Sequence, residues 1–160
     1  MRNAQIVGVA GHVIGAGGGR GLWFKVMEPI VHRRILVVLL RVAGGITATA
    51  FLAIFLPGDW MAATHRWLGL GEFPRVAVVD YLTRSIAAFY GFHGVLLLLV
   101  SRNPAQHRSI VRYLGLMNVL FGLLLIPIDV HAGMPAFWTL AEGPPVVAFG
   151  LLVLYLSRSI

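Results

Sequence analysis

Four long apolar segments constrain the fold of this chain more than any other feature of its sequence. They cover roughly residues 35 to 56, 76 to 100, 110 to 130 and 137 to 157. Each is close to the ~20 residues that cross a bilayer as an α-helix. Only helices and closed barrels satisfy their backbone hydrogen bonds within lipid. The sequence therefore predicts an all-α integral membrane protein whose domain, residues 35–157, is a four-helix transmembrane bundle.

The composition and the segment boundaries agree with this prediction. Hydrophobic residues make up 58% of the 160 residues and charged residues only 12%, which is outside the usual range for soluble domains. Helix-breaking residues separate the segments: Pro57 and Gly58, then Pro104, then Gly133 and Pro135. The connections are short, so sequential helices are expected to be antiparallel neighbours.

Basic residues concentrate at one end of the predicted bundle. Nine basic residues fall on the side of the two termini and the second loop: Arg2, Arg20, Lys25, Arg33, Arg34, Arg102, Arg108, Arg112 and Arg158. Arg66 and Arg75 lie in loops at the other end. Lys and Arg are enriched in cytoplasmic loops. We therefore expect both termini to be cytoplasmic, in a bacterial inner membrane. The net charge of +7 indicates membrane orientation rather than a nucleic-acid partner.

The first 34 residues differ from the rest of the chain. The stretch GHVIGAGGGRG, residues 11–21, has the glycines of a phosphate-binding loop but neither the G-x-G-x-x-G spacing nor the Gly-Lys-Ser/Thr of a P-loop. It is predicted to be a flexible or partner-bound cytoplasmic tail. The stretch LWFKVMEPIVHRR, residues 22–34, combines aromatic and basic residues and is predicted to lie in the plane of the membrane surface.

Ionisable residues within the predicted spans are candidates for a site. Asp80 and Arg84 share a helical stripe with small residues, so they are expected to face the bundle interior. Asp129 and Glu142 fall at a similar depth, within roughly 12 Å of the outer surface. The sequence thus predicts one intramembrane cluster of Asp80, Arg84, Asp129 and Glu142. A structural clamp, a ligand or proton site, and exposure at the interface all remain open for it.

Three other polar residues are predicted to contact a partner or a ligand. Arg41 lies about a third of the way into the first span without an acidic residue at its depth, and Asn118 is a candidate for its partner. His93 is expected on the face opposite Arg84. A haem sandwiched between two helices needs two histidines at matched depth, and His93 has no such mate. No spacing in the chain indicates a metal site.

The chain contains no cysteine, which excludes disulfides, thiolate metal sites and cysteine nucleophiles. No catalytic signature stands out, so the sequence favours a non-enzymatic role. It indicates no particular cofactor, and contact with a lipid, a quinone or a pigment stays open.

Two stretches resemble a known family: RSIAAFYGFHGVLLLLVSRNPAQHRSIVRYLG, residues 84–115, and IDVHAGMPAFWTLAEGPP, residues 128–145. A helix carrying an arginine among small residues, a basic turn, and a helix ending before a Gly-x-Pro loop resemble the layout of the small four-helix bacterial membrane proteins called DoxX-like. The resemblance covers about residues 35–157. The resemblance implies a place in or beside membrane-bound oxidoreductase systems, although the lack of cysteine argues against any thiol-linked redox role.

Two functions from different classes follow as hypotheses. One is a non-catalytic accessory, structural or assembly subunit of a larger membrane complex, with other membrane subunits and lipid as partners. The alternative is a protein that handles a small molecule, a quinone or protons through the Arg/carboxylate cluster, with a homo-oligomer open in either case.

Overall fold

The computed structural model describes residues 19–160, with side chains from residue 30 onward, and this part of the chain is helical without a strand. Five α-helices and two short 3₁₀ segments follow in order: α1 Gly19–Ala48, the 3₁₀ segment Thr49–Phe55, α2 Gly58–Trp67, α3 Ala77–Val100, α4 Arg108–Ala132, α5 Ala136–Leu156 and the 3₁₀ segment Ser157–Ser159.

The four predicted spans are confirmed as helices that are long and apolar enough to cross a membrane. They run over Ile30–Phe55, Ala77–Val100, Arg108–Ala132 and Ala136–Ser159. The first span begins within a helix that already started at Gly19. The change at residue 35 is therefore one of polarity and not of secondary structure, and the predicted in-plane segment is continuous with the first span. The tail of residues 1–18 lies outside the described residues, and the cytoplasmic orientation stays a prediction.

The first span changes from α-helix to 3₁₀ helix at Thr49. The Thr49 hydroxyl donates a hydrogen bond of 2.6 Å to the carbonyl oxygen of Ile46. Threonine side chains that bond to the preceding turn compete with the backbone ladder, and 3₁₀ turns are common at helix ends. The segment ends at Leu56, whose backbone is extended, as expected for a residue before proline.

A short helix, α2, occupies part of the connection that was expected to be a loop. It begins after Pro57, carries Asp59 in its first turn and has His65 and Arg66 in its last turn. Acidic residues near the start and basic residues near the end of a helix favour the helix dipole. At ten residues, α2 is too short to span a bilayer. The pattern of long apolar segments therefore does not indicate it.

Helices α1 and α3 pack closely and antiparallel through glycines. A Cβ atom added to Gly44 would lie 2.9 Å from the carbonyl oxygen of Gly94, and one added to Gly91 would lie 2.6 Å from the ring of Phe51. These distances are shorter than van der Waals contact, so only glycine permits the approach. Small residues at such interfaces drive helix association in membranes.

Helices α4 and α5 form a second antiparallel pair with the same device. Gly115 faces Gly150, and one heptad further along α4, Gly122 faces Gly143. Added Cβ atoms at these four positions would all come within 3.0 Å of the opposite helix. The heptad spacing keeps the two helices in contact over most of their length.

Among the described residues, the hydrophobic core that the two pairs share lies at one end of the molecule. Its eight buried residues come from the start of α1, the end of α3, the start of α4 and the end of α5: Leu36, Leu40, Leu97, Val100, Val111, Leu114, Val153 and Leu156. We call this the basic end, because Arg34, Arg102, Arg108 and Arg158 surround it. The opposite end, with Asp59, Asp80, Asp129 and Glu142, is called the acidic end.

A contact between chain segments far apart in sequence closes the basic end. Nδ1 of His32 lies 2.9 Å from the hydroxyl oxygen of Ser159, and the His32 ring packs edge-on against Tyr155 at 5.7 Å between ring centroids. The start of the first span and the end of the last therefore lie side by side.

Candidate functional site at the acidic end

Arg84 is the most heavily bonded polar side chain at the acidic end. Its Nε donates to both carboxylate oxygens of Asp80, at 3.0 and 3.1 Å, and its Nη2 lies 3.0 Å from Oδ1 of the same residue. The other guanidinium donors reach across to the first span, where Nη1 binds the carbonyl oxygen of Ile54 and Nη2 that of Leu56, the latter at 3.3 Å. Arg84 thus ties α3 to the end of the 3₁₀ segment.

The local sequence explains why these carbonyl oxygens need hydrogen bonds from Arg84. Pro57 has no N–H, so it cannot donate to the carbonyl oxygen of Ile54 three residues earlier. The last carbonyls of a helix need donors from elsewhere, and water is scarce at bilayer depth. The planar guanidinium supplies several donors at once. Arg84 therefore donates hydrogen bonds to backbone carbonyl groups that lack a donor where the helix ends before Pro57. Asp80 balances the charge of Arg84.

An open pocket of about 320 Å³ adjoins this tie. Asp80 lines this pocket, and the other lining residues come from the start of α2, the connection to α3 and the first residue of α3: Gly58, Asp59, Phe73, Pro74, Arg75, Val76 and Ala77. At its rim Arg75 forms an exposed ion pair with Asp59, with 2.8 Å between Nη2 and Oδ1. The pocket thus offers two carboxylates and one arginine to a bound molecule.

Glu142 belongs to the other helix pair and has a different partner. The indole Nε1 of Trp138, one turn earlier on α5, donates a hydrogen bond of 2.6 Å to Oε2 of Glu142. Tryptophan is enriched at membrane–water interfaces. The structure gives the indole N–H of Trp138 a specific acceptor within the span.

Two backbone carbonyls beside Glu142 lack their α-helical donors. Residues 144 and 145 are prolines inside α5, so no N–H exists to reach the carbonyl oxygens of Leu140 and Ala141. Both residues are exposed on the helix surface. Free carbonyls inside a span are tolerated where protein or water covers them. This face of α5 is consequently polar on its backbone although its side chains are apolar.

Asp129 is the one charged side chain among the described residues that is buried. It is 5% exposed, and its Oδ2 is enclosed without a hydrogen-bond donor from the described part of the chain. It lies one heptad beyond Gly122 on α4, so it continues the stripe that contacts α5. A buried carboxylate oxygen without a donor is destabilising.

The four residues of the predicted cluster are therefore divided between the two helix pairs. Asp80 and Arg84 are paired as expected, within α3. Asp129 and Glu142 lie on the α4–α5 pair, and neither takes part in the described ion pairs. The four residues lie at the same end of the molecule, and a single cluster that joins the two pairs stays a prediction.

The three residues predicted to contact a partner or ligand lie in separate places. Arg41 is exposed on α1, away from the α1–α3 contact. Asn118 donates a hydrogen bond of 2.8 Å to the carbonyl oxygen of Leu114 in its own helix, so its amide does not serve Arg41 there. His93 is half-buried on α3. Within the described residues no group of three His, Asp or Glu side chains is arranged to hold a metal ion.

Sequence reasoning missed several polar partners that the structure reveals. The acceptors of Arg84 are backbone carbonyls, which carry no side-chain signal, although Pro57 marks the break that frees them. His32 and Ser159 lie 127 residues apart, and no local pattern connects them. The Trp138–Glu142 pair could have been predicted from the sequence, because a donor and an acceptor four residues apart face each other on a helix.

Compared with models of known protein families, with curated proteins and with solved structures, the chain matches none of them. The layout resemblance to DoxX-like proteins therefore stays a prediction.

Proposed function

We propose that this protein is a non-catalytic accessory or assembly subunit of a larger membrane complex, and that the acidic half of α5 contacts a partner helix. The observation that carries the proposal is the run Leu140, Ala141 and Glu142. It places two backbone carbonyls without α-helical donors beside a carboxylate on an exposed part of a span.

The chemistry of this face favours a protein partner over hydrocarbon. Lipid tails carry no hydrogen-bond donors, so uncovered carbonyls at bilayer depth cost free energy. One oxygen of Glu142 is bonded to Trp138, and the carboxylate can still accept further hydrogen bonds. A neighbouring helix with serine, threonine, asparagine or a basic side chain would supply the missing donors.

The division of the chain into two helix pairs supports the same proposal. Each pair is held by its own glycine contacts, and the shared core lies at the basic end. The acidic halves of the pairs therefore contribute no buried apolar side chains to a common core. A helix from another subunit would pack against α5 without displacing any core residue of this chain.

Crosslinking at matched positions tests the proposal. A photoreactive residue at Leu140, which is 68% exposed, is compared with one at Leu52, which is 67% exposed near the same end of the first span. The protein is crosslinked in its native membrane and extracted in mild detergent, and the attached chains are identified by mass spectrometry. We expect a defined partner chain from position 140 and none from position 52.

Equal crosslinking at both positions, together with a native mass of one 17.4 kDa chain or its multiples, would refute a hetero-complex. Replacing Pro144 and Pro145 by alanine adds a second readout. It restores the backbone donors, so the loss of partner affinity with retained folding is expected.

A second function is favoured by the pocket beside Asp80. Its two carboxylates and Arg75 suit a small polar or cationic molecule, and Arg84 acts there through Asp80 because its own donors bind Asp80 and backbone carbonyls. Gly58 lines the pocket, and an added Cβ meets no atom within 4 Å. Gly58→Phe should therefore fill the pocket without unfolding the protein. Loss of a co-purifying small molecule in this variant would support the second function.

A further inference from the structure

Arg34 and Arg41 share one exposed face of the first span. They are seven residues apart, which is about two helical turns and roughly 10 Å along the axis. Both are exposed, and neither takes part in the described ion pairs. All three of those ion pairs join side chains of the acidic end. Two positive charges thus line up on the surface of α1 at the basic end.

The direction of the helix turns both side chains toward the membrane surface at the basic end. Side chains of an α-helix lean toward its N-terminus, and the N-terminal part of α1 lies at the basic end. Arg41 therefore extends toward Arg34 and toward the membrane surface, where a long arginine side chain can place its charge. The two guanidinium groups can approach a single anion from the hydrocarbon side and from the surface side.

The same face continues into the membrane as an apolar strip with a gap. Val38 is 59% exposed and Val42 is 55% exposed. One turn beyond Arg41, a Cβ added to Gly45 would meet no atom within 4 Å, whereas the adjacent Gly44 is packed against α3. Gly45 therefore leaves a shallow depression on the exposed side of α1, in line with the two arginines.

We propose that Arg34 and Arg41 bind the phosphate of an anionic phospholipid in the leaflet at the basic end, with an acyl chain lying along Val38, Val42 and Gly45. Charge complementarity favours this occupant, because the carboxylates of the described side chains lie at the acidic end, and none of them pairs with these two arginines. A phosphate in the headgroup layer is within the direction in which both side chains point. The site is independent of the proposed contact on α5.

Lipid binding by the purified full-length protein tests this inference. The protein is equilibrated with phosphatidylglycerol or with phosphatidylcholine of the same acyl chains, and bound lipids are counted by native mass spectrometry. We expect phosphatidylglycerol to bind at least tenfold more tightly. Arg41→Gln and Arg34→Gln should each weaken that binding at least fivefold. Arg112→Gln removes another exposed arginine of the basic end and should change it less than twofold.

Gly45→Leu tests the acyl-chain contact without a change of charge, and it should weaken binding of both lipids.

Equal effects of Arg41→Gln and Arg112→Gln would overturn the proposal in favour of diffuse attraction to basic residues. Displacement of the lipid by inorganic phosphate would overturn it in favour of a free-anion site. A partner chain crosslinked to position 41 would overturn it in favour of a protein contact. If Arg41→Gln does not fold, Arg34→Gln and Gly45→Leu decide the matter.

Discussion

Gly122 of α4 and Gly143 of α5 face each other so closely that neither position has room for a side chain. A Cβ atom added to Gly122 would lie 2.7 Å from the carbonyl oxygen of Gly143, and one added to Gly143 would lie 3.0 Å from the carbonyl oxygen of Gly122. These carbonyl oxygens belong to the backbone, so they cannot rotate away as the nearby side chains of Ile126 and Val147 can. This contact sets the distance between the two helices.

Gly122→Ala is expected to destabilise the protein by about 1–3 kcal/mol, the usual cost of forcing an extra methyl group into a packed interface. The helices must separate by several tenths of an ångström, and the Gly115–Gly150 contact one heptad away loosens with them. The free energy of unfolding in mixed micelles, measured by titration with a denaturing detergent, checks this expectation.

Gly45→Ala is the matched control, since Gly45 lies within a span but its added Cβ meets no atom. Alanine favours helix over glycine by up to about 1 kcal/mol, so this variant should be neutral or stabilised. A destabilised Gly45→Ala beside an unaffected Gly122→Ala would show that the helix contacts described above are wrong.

Arg84→Gln is expected to lower the melting temperature by several degrees and to free the end of the 3₁₀ segment. Glutamine cannot reach Asp80, Ile54 and Leu56 together. Arg84→Lys should rescue little, because an ammonium group lacks the planar fork that spans these acceptors. Melting in detergent, with hydrogen exchange at residues 54–58, reports both effects.

Arg112→Gln serves as the control for Arg84→Gln, because Arg112 is exposed and outside the described ion pairs. A fully stable Arg84→Gln that loses a bound molecule would instead assign Arg84 to a ligand site.

His32 and Ser159 are expected to be energetically coupled. Alanine at each position, and at both, forms a double-mutant cycle with a coupling of about 0.5–1.5 kcal/mol, typical of one half-buried hydrogen bond. The same cycle on the exposed bond between Asn103 and Gln106 should give a value near zero. Equal couplings in the two cycles would mean that the His32 contact does not hold the basic end together.

The spans could be predicted from the sequence because the bilayer imposes their length and polarity residue by residue. The glycine stripes were also partly visible: Gly44, Gly91, Gly94, Gly115 and Gly122 do lie at helix contacts. Gly45 directly follows Gly44 in the sequence, but it faces outward. Rotating a helix by one residue moves a side chain by 100°, so a stripe of neighbouring small residues leaves the contact face uncertain.

The predicted cluster of four residues stays a prediction, of which the structure describes only the Asp80–Arg84 pair. Depth along the membrane can be counted from the sequence, whereas the lateral arrangement of helices cannot. Sequential spans were expected to be neighbours, and the close contacts of α1 with α3 and of α4 with α5 agree with this. The second and third spans, α3 and α4, meet at the rings of Tyr90 and Phe121, with 6.4 Å between ring centroids. Asp129 and Glu142 consequently lie at the depth of Arg84 but belong to the other helix pair, α4 and α5.

Asp129→Asn is expected to stabilise the isolated protein by about 1 kcal/mol, in contrast to Asp80→Asn, which should destabilise it. Asp80 pairs with Arg84, whereas Oδ2 of Asp129 is enclosed without a described donor, so removal of its charge relieves an unfavourable burial. Unfolding in mixed micelles measures both variants. Asp59→Asn, which breaks an exposed ion pair with Arg75, is the control and should change stability by less than about 1 kcal/mol. A destabilised Asp129→Asn would show that this carboxylate has a donor beyond the described residues, and if the loss appears only in the native membrane, that donor belongs to a partner subunit.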